Sequence, residues 1–308
     1  MNMARTTDKI AWKTGELLDW TTQFFTRCEI EDPRLSAELL LAHALGVSRM
    51  ALYTQYDQFP PPEKVAAFRE LVRRRKDHTP VAYLVGKAWF FSLEFSVSPD
   101  VLIPRPDTET LVEQVISLVR SRPDWAAPEI LDLGTGSGCI ALALAKNLPA
   151  ARLTATDISA AALAVAKSNA ESIQPASSIR WLQGDLFAAI EALSPPVRFK
   201  VIVSNPPYIP GSQVDGLMPE VSRHEPRLAL DGGSDGLRFF ERIAKSAPDW
   251  LEPGGVLAME TAFNQAAAVE KNLLAAGCFG NARIARDAAG RQRCVIAQLL
   301  TEPAGNHP

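Results

Sequence analysis

The sequence predicts an α/β fold with a doubly wound, mostly parallel seven-stranded sheet, preceded by a small helical domain. Five short apolar runs, at residues 130–133, 153–156, 181–183, 201–204 and 256–259, indicate strands, and the first three are each followed by a helical pattern. Two terminal runs, 282–285 and 294–299, are separated only by a turn. Strands that alternate with helices predict parallel pairing, and the terminal pair predicts an antiparallel hairpin. Ligands of such sheets bind at the carboxyl ends of the strands.

Residues 1–85 predict a helical domain made of short helices with polar joints. Asp32-Pro33 predicts the start of one helix, with Asp32 as N-cap and the proline in the first turn. Leu35, Leu39 and Ala42 then fall at helical spacing and predict its buried face. A second helix is expected after the next run of prolines.

A hairpin at residues 86–105 is predicted to link the helical domain to a sheet domain at 106–300. The hairpin prediction depends on the alternation of Phe91, Leu93, Phe95 and Val97 with polar residues, a period typical of strands. A helix is expected at 106–120, and residues 301–308 predict a flexible tail.

Composition argues against several classes of function. The chain has 308 residues and a formal net charge of -3, so it lacks the basic footprint typical of nucleic-acid binding. Its four cysteines are far apart and have no histidine at zinc-ligand spacing, so neither a disulfide framework nor a metal site is expected. The polar start lacks a signal core and no run reaches 18 apolar residues, so we expect a cytoplasmic protein without a membrane segment.

Three glycines stand at alternate positions where the first strand of the sheet turns into a helix. Gly134, Gly136 and Gly138 flank Thr135 and Ser137 in this loop. Backbone without Cβ atoms lets a ligand approach closely, and the start of the next helix offers free N–H groups to an anionic group. A tight turn without a ligand is the alternative interpretation of such a loop.

An acidic residue, Asp157, ends the second strand, 23 positions after Gly134. This spacing is close to the value of about 20 at which a carboxylate meets ribose hydroxyls in dinucleotide-binding folds. The loop and Asp157 together predict a ligand that contains adenosine. Asp157 could instead serve only as N-cap of the helix that starts near Ala160.

The fourth strand runs directly into Asn205-Pro206-Pro207-Tyr208, at the sheet edge where the ligand is expected. Two prolines stiffen this turn and keep Asn205 out of the helical region. The Asn205 side-chain oxygen and the Pro206 carbonyl then form a surface rich in acceptors, which suits a planar amino group with two hydrogens to donate. Tyr208 is expected to form an aromatic wall against that group.

The chemistry predicted for the turn is methyl transfer to an amide or amine nitrogen bonded to an sp2 carbon. An amide nitrogen is a poor nucleophile because its lone pair is delocalised. Accepting both N–H bonds would orient the nitrogen toward an electrophilic methyl group and stabilise the positive charge that develops on it. The turn alone leaves glutamine and adenine equally eligible as acceptors.

Together, the glycine loop, Asp157 and the turn resemble the class I S-adenosylmethionine-dependent methyltransferases of the Asn-Pro-Pro-Tyr group. Over nearly the whole chain, the sequence resembles the release factor glutamine methyltransferase family, also known as PrmC or HemK. Residues 103–109 are similar to the family's linker motif, residues 224–233 are similar to the loop after its catalytic turn, and the amino-terminal helices are similar to its release factor-binding domain.

The resemblance implies a Rossmann-like methyltransferase fold, S-adenosyl-L-methionine as cofactor, and N5-methylation of the glutamine in the Gly-Gly-Gln loop of peptide chain release factors. It also implies that residues 134–138, Asp157, Asp185, Leu186 and Asn205 contact the cofactor, and that residues 205–208 hold the glutamine. The family often has an aromatic residue where this sequence has Leu186. Asp107 stands where glutamate is commoner.

Three other functions are compatible with parts of the sequence. A ribosomal protein L3 glutamine methyltransferase would use the same chemistry on another protein. An adenine methyltransferase acting on DNA or RNA fits the turn, but it would usually need a basic groove or a target-reading domain. A non-catalytic nucleotide-binding module fits the glycine loop and leaves the turn unexplained. We therefore expect a release factor as partner, no direct contact with nucleic acid or membrane, and a monomer, since no heptad pattern is present.

Overall fold

The structure is a computed structural model that describes residues 11–301. The prediction for the polar start of the chain lies outside the described residues. So does the flexible tail, apart from Thr301.

Twelve α-helices and nine strands occur in the part of the chain that the structure describes. The helices are α1 (Thr14–Arg27), α2 (Pro33–Leu45), α3 (Arg49–Thr54), α4 (Pro62–Lys76), α5 (Val81–Val85), α6 (Pro106–Arg120), α7 (Cys139–Asn147), α8 (Ala160–Ile173), α9 (Gly211–Val214), α10 (Pro219–His224), α11 (Arg238–Trp250) and α12 (Ala266–Ala275). The strands are β1 (Lys87–Phe90), β2 (Leu93–Ser96), β3 (Glu129–Leu133), β4 (Arg152–Asp157), β5 (Ile179–Gln183), β6 (Phe199–Ser204), β7 (Leu251–Glu260), β8 (Arg283–Arg286) and β9 (Gln292–Gln298).

Seven of these strands form one sheet in the order β5-β4-β3-β6-β7-β9-β8, and β1 and β2 form a separate antiparallel hairpin. Strands β5, β4, β3, β6 and β7 are parallel to one another, and β9 is antiparallel to both of its neighbours. The predicted fold class, a mostly parallel seven-stranded sheet that ends in an antiparallel hairpin, is confirmed.

The chain forms two compact units. The helical unit comprises the chain up to Gly86 together with Pro219–His224, and the sheet unit comprises Lys87–Met218 and the chain from Glu225 onward. Within the helical unit, Arg75 on α4 forms a 2.9 Å ion pair with Glu220 on α10. Because Arg75 is buried, loss of Glu220 would leave an uncompensated buried charge, so this pair keeps α10 with the helical unit.

Helix α2 starts where predicted, but the capping hydrogen bond and the buried face differ from the prediction. The helix begins at Pro33, but Asp32 has a φ of 46° and its side chain makes no capping hydrogen bond. Leu35 is exposed, whereas the adjacent residues Leu40 and Leu41 are both fully buried. Helix α2 contacts α1, α4 and α5, so it buries a wider surface than the single stripe inferred from residues 35, 39 and 42.

Both faces of the central sheet are covered by helices. Alternate residues of one strand pack on opposite sides, as Ile130 and Leu131 of β3 do. One apolar layer contains residues of α6 and α7, and the other contains residues of α11 and α12. The parallel strands are therefore apolar on both faces, which explains why they appear in the sequence as short, nearly continuous apolar runs.

The helix predicted after the third strand is wrong. Strand β5 is followed only by a single 3-10 turn, Leu186–Ala189. Phe187 and Ile190 are buried and anchor this segment to the sheet unit. The Pro195-Pro196 pair before β6 prevents a longer helix from filling this connection, because proline in a helix interior removes a hydrogen bond and clashes with the preceding turn.

None of the helices in the described part of the chain combines the length and apolar character needed to cross a bilayer. Within residues 11–301, no group of three or more His, Cys, Asp or Glu side chains is arranged to hold a metal ion. All four cysteines are free thiols.

Candidate active site

The predicted site residues lie at the carboxyl ends of neighbouring parallel strands. Asp157 ends β4, the glycine loop follows β3, and Asn205 follows β6. Because β4, β3 and β6 are adjacent in the sheet, the topology brings these three segments to one edge. The switch in chain direction beside β3 is where ligands of doubly wound sheets bind.

The glycine loop has a conformation that few other residues adopt. Gly134, Gly136 and Gly138 have φ angles of 72°, 55° and 82°. The backbone N–H groups of Gly134 and Thr135 both donate to the Thr156 carbonyl at 2.9 Å, which fastens the loop to the end of β4. A Cβ atom added to Gly134 or Gly136 would meet no protein atom within 4 Å. The loop therefore borders open space that a ligand can enter.

The carboxylate of Asp157 connects the second strand to this loop. Its Oδ2 atom accepts a 2.8 Å hydrogen bond from the Gly136 N–H, and its Oδ1 atom accepts one of 2.9 Å from the Ser159 N–H. Burial raises the pKa of this carboxyl, while these backbone donors lower it. The side chain that caps α8 belongs to Ser159, which accepts from the Ala162 N–H. The interpretation of Asp157 as merely the cap of this helix is therefore wrong.

Asp132 is a further acidic residue behind the loop that the sequence-based prediction left out. Its side chain is fully buried, and its Oδ2 atom accepts a 2.6 Å hydrogen bond from the Thr135 hydroxyl. Burial raises the pKa of the Asp132 carboxyl to about 7, against the lowering effect of this hydrogen bond. The Oδ1 atom makes no hydrogen bond within the described residues. A charge in the middle of the apolar run 130–133 was the signal that could have identified it.

Two apolar residues and one ion pair border the same edge. Ile158, directly after Asp157, is 49% exposed although it is a large apolar residue. Leu186 has a φ of 50° and is partly buried against the sheet unit's core. Asp185 forms a 2.7 Å ion pair with Arg242, and both side chains remain accessible to solvent. Ile158 was not predicted, because its exposure is visible only in the folded chain.

These groups fit S-adenosylmethionine, the cofactor that the resemblance implies. The orphaned buried oxygen of Asp132 and the carboxylate of Asp157 suit a ligand that carries cationic and hydroxyl groups. The open cradle at Gly134 and Gly136 admits close approach to backbone N–H donors, and Ile158 offers apolar surface for a planar ring.

The turn at residues 205–208 is held by the segment that follows β7. The Gln265 side chain donates a 2.9 Å hydrogen bond to the Tyr208 carbonyl and accepts one of 3.2 Å from the Ala262 N–H. The Tyr208 hydroxyl lies 3.3 Å from Oε1 of Glu260. Burial, followed by the neighbouring Glu260 carboxyl, raises the pKa of Tyr208, so its hydroxyl is neutral near pH 7.

Asn205 is in contact with the first turn of α6. Its side-chain Nδ2 group donates a 3.2 Å hydrogen bond to Oγ1 of Thr108. Within the described part of the chain, neither Oδ1 of Asn205 nor the Pro206 carbonyl accepts a hydrogen bond. Both of the acceptors predicted for the substrate nitrogen are therefore available.

The motif at residues 103–109 proves to be a set of anchors around this turn. Arg105 forms an ion pair with Glu225, and Asp107 forms one of 2.7 Å with Arg293 on β9. The Glu109 carboxylate accepts a 2.7 Å hydrogen bond from the Phe91 N–H in the β1-β2 hairpin. The sequence identified this segment only as a linker, because the partners of these side chains lie far away along the chain.

The loop at residues 225–236 packs directly on the turn at residues 205–208. Ile209 and Asp231 form a parallel β-bridge, and the Gly232 N–H donates a 2.8 Å hydrogen bond to the Ile209 carbonyl. A Cβ atom on Gly232 would lie 2.8 Å from the Pro207 carbonyl oxygen and 2.9 Å from the Tyr208 Cα atom. Only glycine allows this close approach.

Comparison with known proteins gives consistent results. The family model described as the PrmC N-terminal domain matches residues 16–86, and the model described as the methyltransferase small domain matches residues 109–223. The release factor glutamine methyltransferase of Rhodopirellula baltica is 44% identical to this chain over 298 residues, which are 96% of this chain and 99% of the relative. The protein of the same name from Geobacter sulfurreducens is 45% identical and covers 84% of this chain and 87% of its own length.

Among solved structures, the hMettl16 catalytic domain in complex with the MAT2A 3'UTR hairpin 6 is similar with a TM-score of 0.52 and 18% identity. The match covers 80% of this chain and 84% of that chain. At this identity the similarity shows a common fold.

Replacing Asp157 by alanine is predicted to weaken S-adenosylmethionine binding by about tenfold or more, because a charge-assisted hydrogen bond contributes roughly 1.5 to 3 kcal/mol. Titration calorimetry measures the dissociation constant directly. Glu171→Gln, an exposed change on α8, is the matched control and should bind normally. Unchanged affinity in Asp157→Ala would contradict the assigned role.

Replacing Gly232 by alanine is predicted to displace the catalytic turn and lower kcat by on the order of 100-fold, the cost expected for a misplacement of about 1 Å. S-adenosylmethionine affinity should stay within about twofold. Gly216→Ala is the matched control, since its Cβ would lie 3.5 Å from its nearest neighbour, the Gln213 carbonyl oxygen. Steady-state turnover and calorimetry test both variants, and normal turnover of Gly232→Ala would refute the tight contact.

Proposed function

The chain belongs to the family of release factor glutamine methyltransferases, and from that membership we propose that it methylates the N5 side-chain amide of the glutamine in the Gly-Gly-Gln loop of class 1 peptide chain release factors. The methyl donor is S-adenosyl-L-methionine. The observation that carries the assignment to this site is the pair of available acceptors at Asn205 and Pro206, at the sheet edge that also holds the glycine loop.

We propose that the cofactor is held by the loop at residues 134–138, by Asp157, and by Asp185, Leu186 and Asn205. When bound, S-adenosylmethionine supplies an electrophilic methyl group. The N–H groups of the glycine loop suit a carboxylate, and Asp157 suits ribose hydroxyls. We add two residues to these cofactor contacts: Asp132, for its buried carboxyl oxygen without a partner within the described residues, and Ile158, for its exposed apolar surface.

The substrate amide is proposed to donate its two N–H bonds to Oδ1 of Asn205 and to the Pro206 carbonyl. Both acceptors are held rigidly, since the prolines restrict the turn and Gln265 fixes its far end. Orientation of the reacting nitrogen can lower the barrier by about 7 to 11 kcal/mol. The same two oxygens stabilise the positive charge that develops on the nitrogen during methyl transfer.

Tyr208 is proposed to form a wall against the planar amide. Its hydroxyl is not proposed as a base, because its pKa is raised and it already lies against Glu260. The charged product can lose its proton to solvent or to a neighbouring oxygen, so no dedicated general base is required.

The helical unit is proposed to recognise the release factor, consistent with the match of residues 16–86 to the PrmC N-terminal domain. We further propose the domain division at residues 85 and 105 inferred from the sequence. A monomer in the cytoplasm that contacts neither nucleic acid nor membrane directly is also proposed. The net charge of -3 supports the absence of a phosphate-backbone partner.

The acceptor is tested by incubating the protein with methyl-labelled S-adenosylmethionine and, separately, with a bacterial release factor, ribosomal protein L3 and duplex DNA. Label is expected in the release factor, on a peptide that contains the Gly-Gly-Gln glutamine. A release factor with that glutamine replaced by alanine is the control and should remain unlabelled. Label only in L3 would replace the proposed substrate, and label only in DNA would overturn glutamine methylation altogether.

Because Asn205 is only one of several proposed cofactor contacts, Asn205→Ala is predicted to bind cofactor nearly normally. It should nevertheless lower methyl transfer by on the order of 100-fold or more, because one of the two substrate acceptors is lost. Asn281→Ala, an exposed asparagine before β8, is the matched control. Single-turnover transfer to the release factor measures the effect. Full activity in Asn205→Ala would refute the role proposed for this side chain.

A further inference from the structure

The orientation of the Asn205 amide decides whether the turn can accept a substrate N–H bond. An asparagine side chain has two orientations of nearly the same shape but opposite hydrogen-bonding character, since the oxygen accepts and the NH2 group donates. Only the orientation with Oδ1 toward the substrate matches an amide nitrogen that must donate. The reversed orientation would place two sets of N–H hydrogens against each other.

Thr108 is the residue that contacts this amide. Its Oγ1 atom accepts from Nδ2 of Asn205 at 3.2 Å, and the threonine side chain is buried. A hydroxyl can donate only one hydrogen bond but can also accept. If Thr108 donated its proton to Asn205, the asparagine oxygen would turn toward α6 and away from the substrate. The direction of the Thr108 proton therefore sets the orientation of Asn205.

Glu260 provides the competing acceptor for that proton. Strand β7 pairs in parallel with β6, with Met259 opposite Ser204, so Glu260 and Asn205 occupy the next positions on neighbouring strands. The Glu260 side chain is buried, and the nearby Thr108 hydroxyl is among the groups that lower the pKa of its carboxyl. Oε1 accepts from the Tyr208 hydroxyl, and Oε2 has no hydrogen-bond partner within the described residues, so it is free to accept from Thr108.

On these contacts, and on the proposed function, we infer that Thr108 and Glu260 are positioning residues. The Thr108 hydroxyl donates a hydrogen bond to Glu260 and accepts one from Asn205, and the Asn205 oxygen is thereby presented to the substrate amide. An ionised carboxylate with a vacant lone pair is a stronger acceptor than a neutral amide oxygen, which fixes the direction of this chain when Glu260 is charged. Burial raises the pKa of Glu260 to about 7, against the lowering effects of Thr108 and Tyr208. Both protonation states keep an oxygen that can accept from Thr108.

The position of Thr108 is set independently of the catalytic turn. Its neighbour Asp107 is paired with Arg293, and Arg293 is also paired with Asp287 at 2.9 Å. On its other side, Glu109 is bonded to the β1-β2 hairpin. The start of α6 is thus held in place by contacts outside the turn, and it can orient the Asn205 amide.

Three variants test the inference. Thr108→Val keeps the volume and removes the hydroxyl, so the amide is free to reverse, and kcat is expected to fall by about tenfold or more. Thr108→Ser keeps the hydroxyl and should retain kcat within about threefold. In Glu260→Gln the Tyr208 hydroxyl still donates to the side-chain oxygen, which leaves the NH2 donor in the place of Oε2. The Thr108 proton then turns toward Asn205, so a loss similar to that of Thr108→Val is expected.

Thr110→Val is the matched control, because it is the same substitution on a buried residue of the same helix. It should leave kcat within about twofold. All variants should bind S-adenosylmethionine within about twofold of the unaltered protein by calorimetry, and their KM for the release factor should change less than kcat. A general loss of structure would instead affect cofactor affinity and the thermal midpoint.

The double variant Thr108→Val with Glu260→Gln separates a chain from two independent effects. The effects of residues that act through one hydrogen-bonded chain are non-additive, so the kcat of the double variant should lie within about twofold of the kcat of the less active single variant. Multiplied losses would overturn the inference, as would full kcat in Thr108→Val or failure of Thr108→Ser to retain activity. If Thr108→Val does not fold, Glu260→Gln serves as the test, and a normal kcat of Glu260→Gln would also overturn the inference.

The unaltered protein separates this inference from the proposed function. If it transfers no methyl group to the release factor, the proposed function fails before any variant is compared. If it is active and the variants behave like the control, only the positioning role fails.

Discussion

The parallel pairing of β6 with β3 on one side and with β7 on the other is the constraint on which the site depends. Strand β6 is in register with β3 through Ser204 and Leu133, and with β7 through Ser204 and Met259. The residue after Ser204 is consequently placed between the glycine loop and Glu260. Because parallel strands all point their carboxyl ends the same way, one set of ladder hydrogen bonds assembles segments that are distant in sequence.

Two buried carboxyl groups lie at this edge of the sheet, and the burial of each lowers the stability of the folded protein. Asp132 lies behind the glycine loop and Glu260 lies behind the turn at residues 205–208, each with one oxygen that has no hydrogen-bond partner in the described residues. Burial raises the pKa of both carboxyls to about 7, which reflects the cost of desolvating a charge. Unsatisfied buried acceptors of this kind are typical of functional sites, where a ligand or a neighbouring donor completes the set.

The rigidity of the turn comes from its surroundings as well as from its prolines. The loop around Gly232 approaches the turn so closely that no side chain fits, and Gln265 holds the Tyr208 carbonyl. The start of α6 contributes Thr108, while its neighbours are anchored by ion pairs to other parts of the sheet unit. A planar amide must be held with both N–H bonds satisfied, so a site of this kind needs acceptors that do not move.

The sequence alone determined the fold class, the seven strands and the presence of the turn, because short apolar runs, glycine spacing and proline pairs are local signals. The family also followed from local motifs. The sequence did not determine the wide buried face of α2, the missing helix after β5, or the burial of the acidic residues Asp132 and Glu260. Each of these depends on what packs beside the residues concerned. The assigned contacts of Asp157, Asp185 and Leu186 with cofactor stay predictions. Only the tertiary structure decided that residues 105–109 support the turn, because Thr108 meets Asn205 across 97 positions of chain, and long-range pairing leaves no local pattern.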